Sequence, residues 1–249
     1  MTLLPSQEAT FLRDAIETIV LELPGYGYRR VTAELHHQGF IVNHKRVLRV
    51  MRHEALHCVL KKRFIATTDS DHGERVYPNR LKQLTLSGIN QAWGADITYI
   101  RLPSGFCYLA AILDAFSRRC VGWALSKDID TRLCLSALET ALASRQPSAG
   151  LVHHSDRGVQ YASVAYVSHW EVAGILPGMS AKGNPYDNAK AESYFKTLKR
   201  EEVYLKEYQN IEEAQAQGGA FIESVYNERR LHSRLGYRSP VAFEATLTT

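Results

Sequence analysis

Three carboxylates, Asp96, Asp156 and Glu192, are the side chains of this sequence best suited to chemistry. Each lies inside a distinctive phrase: ADITYI, HHSDRGVQYAS and NPYDNAKAESYFKTLK. Hard oxygen donors gathered in one place repel one another unless a cation sits among them, and they favour Mg2+ or Mn2+. Two such ions about 4 Å apart activate an attacking hydroxyl and stabilise the leaving oxygen of an in-line displacement. Spacing alone supports this weakly. Residues 157 to 191 separate Asp156 from Glu192, and with 26 acidic residues in 249 positions about two acid pairs fall at any one such separation by chance. An exposed glutamate and two turn aspartates would leave the same letters.

The elements that would position these residues are readable in outline. ADITYIRL alternates as a strand, Pro103-Ser104-Gly105 turns the chain, and FCYLAAIL is a nearly continuous apolar strand. A second turn at residues 116–119 leads to CVGWALS, so the three strands read as an antiparallel meander. A helix over 131–144, a strand over 151–154, a helix over 163–173 and a short strand over 175–179 follow, then helices from about 187 and 211. The order βββαβαβα predicts an α/β fold, a mixed sheet with helices on both faces. Asp96 then lies on the first strand, Asp156 just past the end of the fourth, and Glu192 inside a helix. At 100° per residue, Asn188, Lys196 and Lys199 fall within about 40° of Glu192 on one polar stripe. Ala191, Tyr194, Leu198 and Leu205 form the stripe that packs on the sheet. Lysines in that position would neutralise phosphates brought to the carboxylates. His154, two residues before Asp156 and so on the same side of a strand, is a candidate to support the site or contact phosphate, with metal ligation the alternative, and Asn188 is a further supporting candidate. Asp114, at the end of the second strand, reads as a turn-stabilising residue.

Ahead of this region lies a different grammar. Helical spacing over 6–22, with Ser6 as cap, is followed by helices over 28–38, stopped at Gly39, and 44–54, capped by Asn43. Two short helices around a glycine turn outline a helix-turn-helix. From Tyr26 to Ile65 nine basic residues (Arg29, Arg30, Lys45, Arg46, Arg49, Arg52, Lys61, Lys62, Arg63) face only Glu34 and Glu54. Such a block points to a polyanion, and Lys45, Arg49 and Arg52 make a stripe suited to a DNA groove. A helical packing module with a solvated basic face would look the same. Residues 66–90 read as a linker, giving three expected segments: 1–65, 66–90 and 91–249. The four scattered cysteines (Cys58, Cys107, Cys120, Cys134) form no CxxC pair and predict reduced core thiols, neither a zinc site nor a disulfide framework. The amino terminus does not read as a signal peptide and no apolar run spans a bilayer, so a cytoplasmic location is expected.

The phrases also occur in a fixed order that resembles the second-reading-frame (OrfB) transposases of bacterial insertion-sequence family three, whose integrase core is shared with retroviral integrases. YGYRRVTAELHHQGFIVNHKRVLRVMR is similar to that family's helix-turn-helix segment. DITYI carries its first aspartate, HSDRGVQYAS its second, MSAKGNPYDNAKAESYFKTLK its glutamate, and YNERRLHSRLGYRSPVAF its closing phrase. The resemblance runs nearly end to end, with Ala95 and Pro185 departing from the usual residues. It implies a ribonuclease-H-like core behind an all-α helix-turn-helix region, and a metal-binding triad at Asp96, Asp156 and Glu192. Mg2+ or Mn2+ would be the cofactor, with two ions in the active complex. Double-stranded DNA (element ends and target) is the implied partner, with strand cleavage and transfer as the reaction. It further implies a homo-oligomer on DNA at the bacterial nucleoid, and an upstream-frame (OrfA) product as a possible partner or fusion. Arg229, Arg230, His232 and Arg234 in the closing phrase are candidates to touch DNA or the catalytic helix, or to form surface ion pairs. A catalytically silent DNA-binding regulator is the alternative of another class. A nuclease for RNA–DNA hybrids is a third, which the helix-turn-helix fits poorly.

Overall fold

The computed structural model describes residues 5–56, 77–180 and 188–247, and the chain packs as two compact units. The first joins residues 1–62 to residues 230–239, and the second joins residues 63–229 to residues 240–249.

The first unit is helical: α1 (Pro5–Glu22), α2 (Tyr28–His37) and α3 (His44–His53). Helix α1 starts at Pro5, so Ser6 lies within its first turn and does not cap it; proline suits that first position because its missing N–H would be unbonded anyway. Gly39, at φ +87°, turns the chain out of α2. Asn43 caps α3 as expected, its Oδ1 accepting from the Lys45 amide at 2.8 Å. Apolar side chains at helical spacing (Leu12, Ile16 and Ile19 on α1, Val31 and Leu35 on α2, Val47 and Met51 on α3) are buried. Tyr26 is wholly buried, and its hydroxyl accepts from the Leu231 amide at 2.7 Å, tying in the late segment. That segment makes a 3-10 turn over Ser233–Leu235. Arg230 and His232 are buried in it, so neither is a surface ion-pair residue.

The second unit is a five-stranded sheet of β1 (Ala92–Leu102), β2 (Gly105–Asp114), β3 (Cys120–Ser126), β4 (Val152–Ser155) and β5 (Leu176–Met179), in the order β3-β2-β1-β4-β5. The meander β1–β2–β3 is antiparallel, while β4 and β5 add to it in parallel. Alternation along β1 divides the core. Trp93 and Ala95 face α4 (Thr131–Arg145), α5 (Val159–Ala162) and α6 (Val164–Val172), whose Leu138, Tyr166 and Trp170 are wholly buried. Ile100 and Leu102 face α7 (Ala189–Leu198) and α8 (Ile211–Ala220) through Ala191, Tyr194, Leu198 and Ala214. Gly122 allows α4 to lie directly on β3, because a Cβ there would run into the Ala137 carbonyl and the Ala141 amide.

Several elements differ from the expected outline, each for a non-local reason. Strand β1 begins at Ala92 because Trp93 pairs with His153 across the parallel junction. Helices α7 and α8 each run on into a π-turn, Lys199–Val203 and Phe221–Asn227. The first π-turn breaks the helical phase, and Leu205, expected on the apolar stripe, is 46% exposed. Before β1, Leu81 and Leu86 pack against Ala92, Ala115 and Val152. A final helix, α9 (Pro240–Ala245), is held by Glu244, which accepts from Ser117 Oγ at 2.6 Å, Arg119 Nη1 at 2.9 Å and Arg145 Nη2 at 2.6 Å. Burial pushes that carboxyl up, but Arg145, Ser117 and Arg119 outweigh it and hold it below the ordinary glutamate value.

Candidate active site

The parallel junction between β1 and β4 is what gathers the aspartates. Its register pairs Ala92 with Val152, Trp93 with His153 and Gly94 with His154. Asp96 and Asp156 each stand two residues beyond that last pair, Asp96 still on β1 and Asp156 just past the end of β4. By alternation Asp96 faces the same side as Ile100, the side that α7 covers. Asp156 follows the end of β4, where its Oδ1 accepts from the Gly158 amide at 2.9 Å and fixes the turn. Such crevices beyond the carboxyl ends of strands are where open α/β sheets bind ligands.

Helix α7 brings the third acid. Its first turn is tied down twice: Asn188 Nδ2 donates to the Ala95 carbonyl at 3.2 Å, and Lys190 Nζ donates to the Ala115 carbonyl at 2.7 Å. Ala191, Tyr194, Phe195 and Leu198 bury the apolar stripe, leaving Glu192 and Lys196 exposed along the polar one. Asp96 registers the result. Its pKa is raised to about 7, first by burial, then by the charge of Asp156 and also by Glu192, against the Ile97 amide and Lys199, which lower it. Asp96 therefore feels both other carboxylates, with Lys199 as a nearby cation.

Among the described residues, no three His, Cys, Asp or Glu side chains stand close enough to hold one metal ion together. The donor chemistry nonetheless fits a hard divalent cation. Three carboxylates, one of them with its pKa raised by burial and by its neighbours, are a set whose mutual repulsion a cation would relieve.

The supporting residues divide. His154 is buried on β4 and its Nε2 meets Ser180 Oγ at 3.0 Å, beside Arg157, whose Nε donates to the Ser180 carbonyl. Asp114 lies away from the carboxylates and is a hub for its turn, accepting from the amides of Asn90, Phe116 and Ser117. Cys107, Cys120 and Cys134 are buried free thiols. In the first unit, Arg29, Lys45, Arg46, Arg49 and Arg52 are exposed and Arg30 is half-buried. Lys61, Lys62, Arg63, Cys58 and Pro185 lie outside the described residues. Lys190, Ser180 and Tyr99 were not foreseen. Only Tyr99 had a signal, an aromatic three residues after Asp96, where a lysine from α7 finds it.

Comparison with known proteins places both units. Residues 7–64 match the HTH-like domain family, and residues 87–185 and 173–240 match two integrase core domain families. The chain is 36% identical to the transposase for insertion sequence element IS904 of Lactococcus lactis, covering 95% of this chain and 94% of the relative. It is 38% identical to transposase InsF for insertion sequence IS3A of Escherichia coli, covering 88% and 76%. Among solved structures, a chain of the simian T-cell lymphotropic virus intasome in complex with PP2A regulatory subunit B56 gamma matches with a TM-score of 0.54 and 16% identity, covering 92% of this chain and 74% of that one. The fold is thus an integrase, ribonuclease-H-like mixed sheet with a helical helix-turn-helix region before it.

Proposed function

The chain belongs to the IS3 family of insertion-sequence transposases, with an integrase core, and from that premise we propose that it cleaves and joins DNA strands at the element's ends through Asp96, Asp156 and Glu192. The observation that carries this reading is the β1–β4 register, which sets Asp96 and Asp156 at the carboxyl ends of neighbouring strands on the sheet that α7, with Glu192, packs against; the charges of both acids act on Asp96. The three carboxylates would hold Mg2+ or Mn2+, two ions in the active complex, which supply Lewis acidity and a more acidic attacking hydroxyl. In the first reaction a water oxygen forms a bond to phosphorus as the bond to the DNA 3′-oxygen breaks. In the second that freed 3′-hydroxyl attacks a target phosphate, and a target 3′-oxygen leaves. No covalent bond to protein is needed in either.

The remaining residues deliver and hold the DNA. Lys196, exposed one turn beyond Glu192, and Lys199 meet the phosphate charge. Asn188 fixes the start of α7 to the strand that carries Asp96, and His154 steadies the segment that carries Asp156. On the helix-turn-helix, Lys45, Arg46, Arg49 and Arg52 face duplex DNA, with Arg29 and Arg30 adding to the basic surface and Lys61, Lys62 and Arg63 to the charge of the sequence. The expected division, 1–65 for DNA binding, 66–90 as connection and 91–249 for catalysis, is amended in this reading by residues 230–239, which pack with the first unit, and by Leu81 and Leu86, which pack on the second. Action on DNA as a homo-oligomer in the bacterial cytoplasm, alone or with an upstream-frame product, belongs to the same reading. No helix among the described residues is long and apolar enough to cross a membrane.

The deciding experiment is strand transfer by Glu192→Gln on end-containing DNA with Mg2+. Loss of joining with end binding retained is expected, and undiminished joining would sink the triad. End binding by the wild-type chain that persists in EDTA, with no joining when Mg2+ is supplied, would instead mark a non-catalytic regulator.

A further inference from the structure

Lys199 closes α7, and its place is set by a side chain from the sheet. Its Nζ lies 4.1 Å from the centroid of the Tyr99 ring. Tyr99 is itself held, because the Phe106 ring on β2 meets it edge-on, with centroids 5.5 Å apart and planes at 89°. Tyr99 is three residues from Asp96 on β1 and alternates to the opposite face, so Lys199 meets it past the last β1–β4 pair at Gly94 while its charge still acts on Asp96. A flexible lysine at the start of a π-turn would otherwise sample many rotamers. A partly desolvated cation–π contact biases that population by roughly five- to thirtyfold. The seat does little for the core: Tyr99 and Lys199 are half-buried and Phe106 is 49% exposed.

We propose that Tyr99 is a positioning residue of the reacting site, its ring holding the Lys199 ammonium at the edge of β1 near the carboxylates, where that cation meets the DNA phosphate. The proposal rests on the reading of Asp96, Asp156 and Glu192 as the reacting carboxylates. The ring face does the holding, so the phenolic hydroxyl is dispensable.

Strand transfer by the full chain on end-containing DNA with Mg2+ tests this in four variants: Y99V, Y99F, K199M and the double variant that combines Y99V with K199M. Valine suits a strand position, and thermal midpoints check that each variant folds. Y99V is expected to lower the joining rate about tenfold and to reduce the salt slope of DNA binding, while Y99F retains most of the rate. K199M is expected to cost at least as much, and Y99V to add little in the K199M background, since the ring then has no cation to seat. A wild-type rate in Y99V, equal damage from Y99F, or independent multiplication of the Y99V and K199M losses would each overturn the proposal. If Y99V does not fold, Y99F and K199M still decide: a damaged Y99F or an undamaged K199M overturns it. E192Q run in parallel separates the two levels. Activity in E192Q removes the carboxylate reading, whereas an inactive E192Q beside a normal Y99V removes only the role of Tyr99.

Discussion

Helices α3 and α7 are each ten residues long, each with an apolar stripe buried and a polar stripe carrying charge, yet they use the charge in opposite ways. On α3 the cap is local, Val47 and Met51 face inward, and Lys45, Arg46, Arg49 and Arg52 stand exposed. Nothing in that arrangement depends on placing one charge to better than a few ångströms, which suits a duplex met through its phosphates. On α7 the polar stripe is tied at both ends. Asn188 and Lys190 anchor the first turn to backbone carbonyls of the sheet, and Lys199 settles on Tyr99 at the last. One helix presents charge, whereas the other places it. Affinity tolerates the first arrangement; a displacement at phosphorus requires the second.

The largest expected difference lies in the chemistry. Asp156→Asn is expected to lower strand transfer by about a thousandfold, the several kcal/mol that an ion-binding carboxylate supplies to the transition state. End binding through α3 stays intact. A gel shift and a joining assay on the same preparation check this, and a parallel loss of both would erase the distinction between the helices.

Next comes the face of the sheet opposite α7. His153 is wholly buried beside Tyr166 and Trp170, and burial, then His154, lowers its pKa to about 3. The unfolded chain, with a histidine near 6.5, binds the extra proton, so this residue's contribution to stability is full above about pH 6.5 and is lost as pH falls toward 3. Denaturant midpoints at pH 7 and pH 4.5 are expected to show a loss of more than about 1 kcal/mol, reduced in His153→Gln. An unchanged difference in that variant would place the acid sensitivity elsewhere.

A smaller effect is expected from Asn188→Ala, which removes the tie between α7 and the Ala95 carbonyl. Its cost is about 1–2 kcal/mol of stability, with the joining rate falling more than the DNA affinity. Equal falls in both would show that α7 presents its charge as α3 does. Smallest is Arg49→Ala: end affinity is expected to drop a few-fold and the salt slope by about one, with the rate on bound DNA unchanged. Measuring affinity at three salt concentrations is sufficient.

The same contrast explains what could be read in advance. The boundaries of α2 and α3 depend on Gly39 and Asn43, signals a few residues from what they govern, and the meander depends on two short turns. These were legible. The membership of the carboxylate set came from ordered phrases, since spacing could not choose among 26 acidic residues. Their meeting was not legible, because the register of Gly94 with His154 joins residues sixty positions apart through a parallel pairing that no local pattern records. The π-turn after Leu198 was equally hidden; it displaced Leu205 from the stripe where straight helical counting had put it. Tyr99 went unremarked because a strand aromatic at a half-buried position reads as packing until the cation above it is seen.

The late residues have a consequence for synthesis. Residues 230–239 complete the first unit, while residues 240–249, with Glu244 bound by Ser117, Arg119 and Arg145, complete the second. During translation the helices α1 to α3 emerge ahead of these segments, so Tyr26 must wait for the Leu231 amide and the β2–β3 turn for Glu244. Neither unit can close its native contacts until residues 230–244 have left the ribosome. A chain that stopped before residue 230 would therefore lack closing contacts of both units.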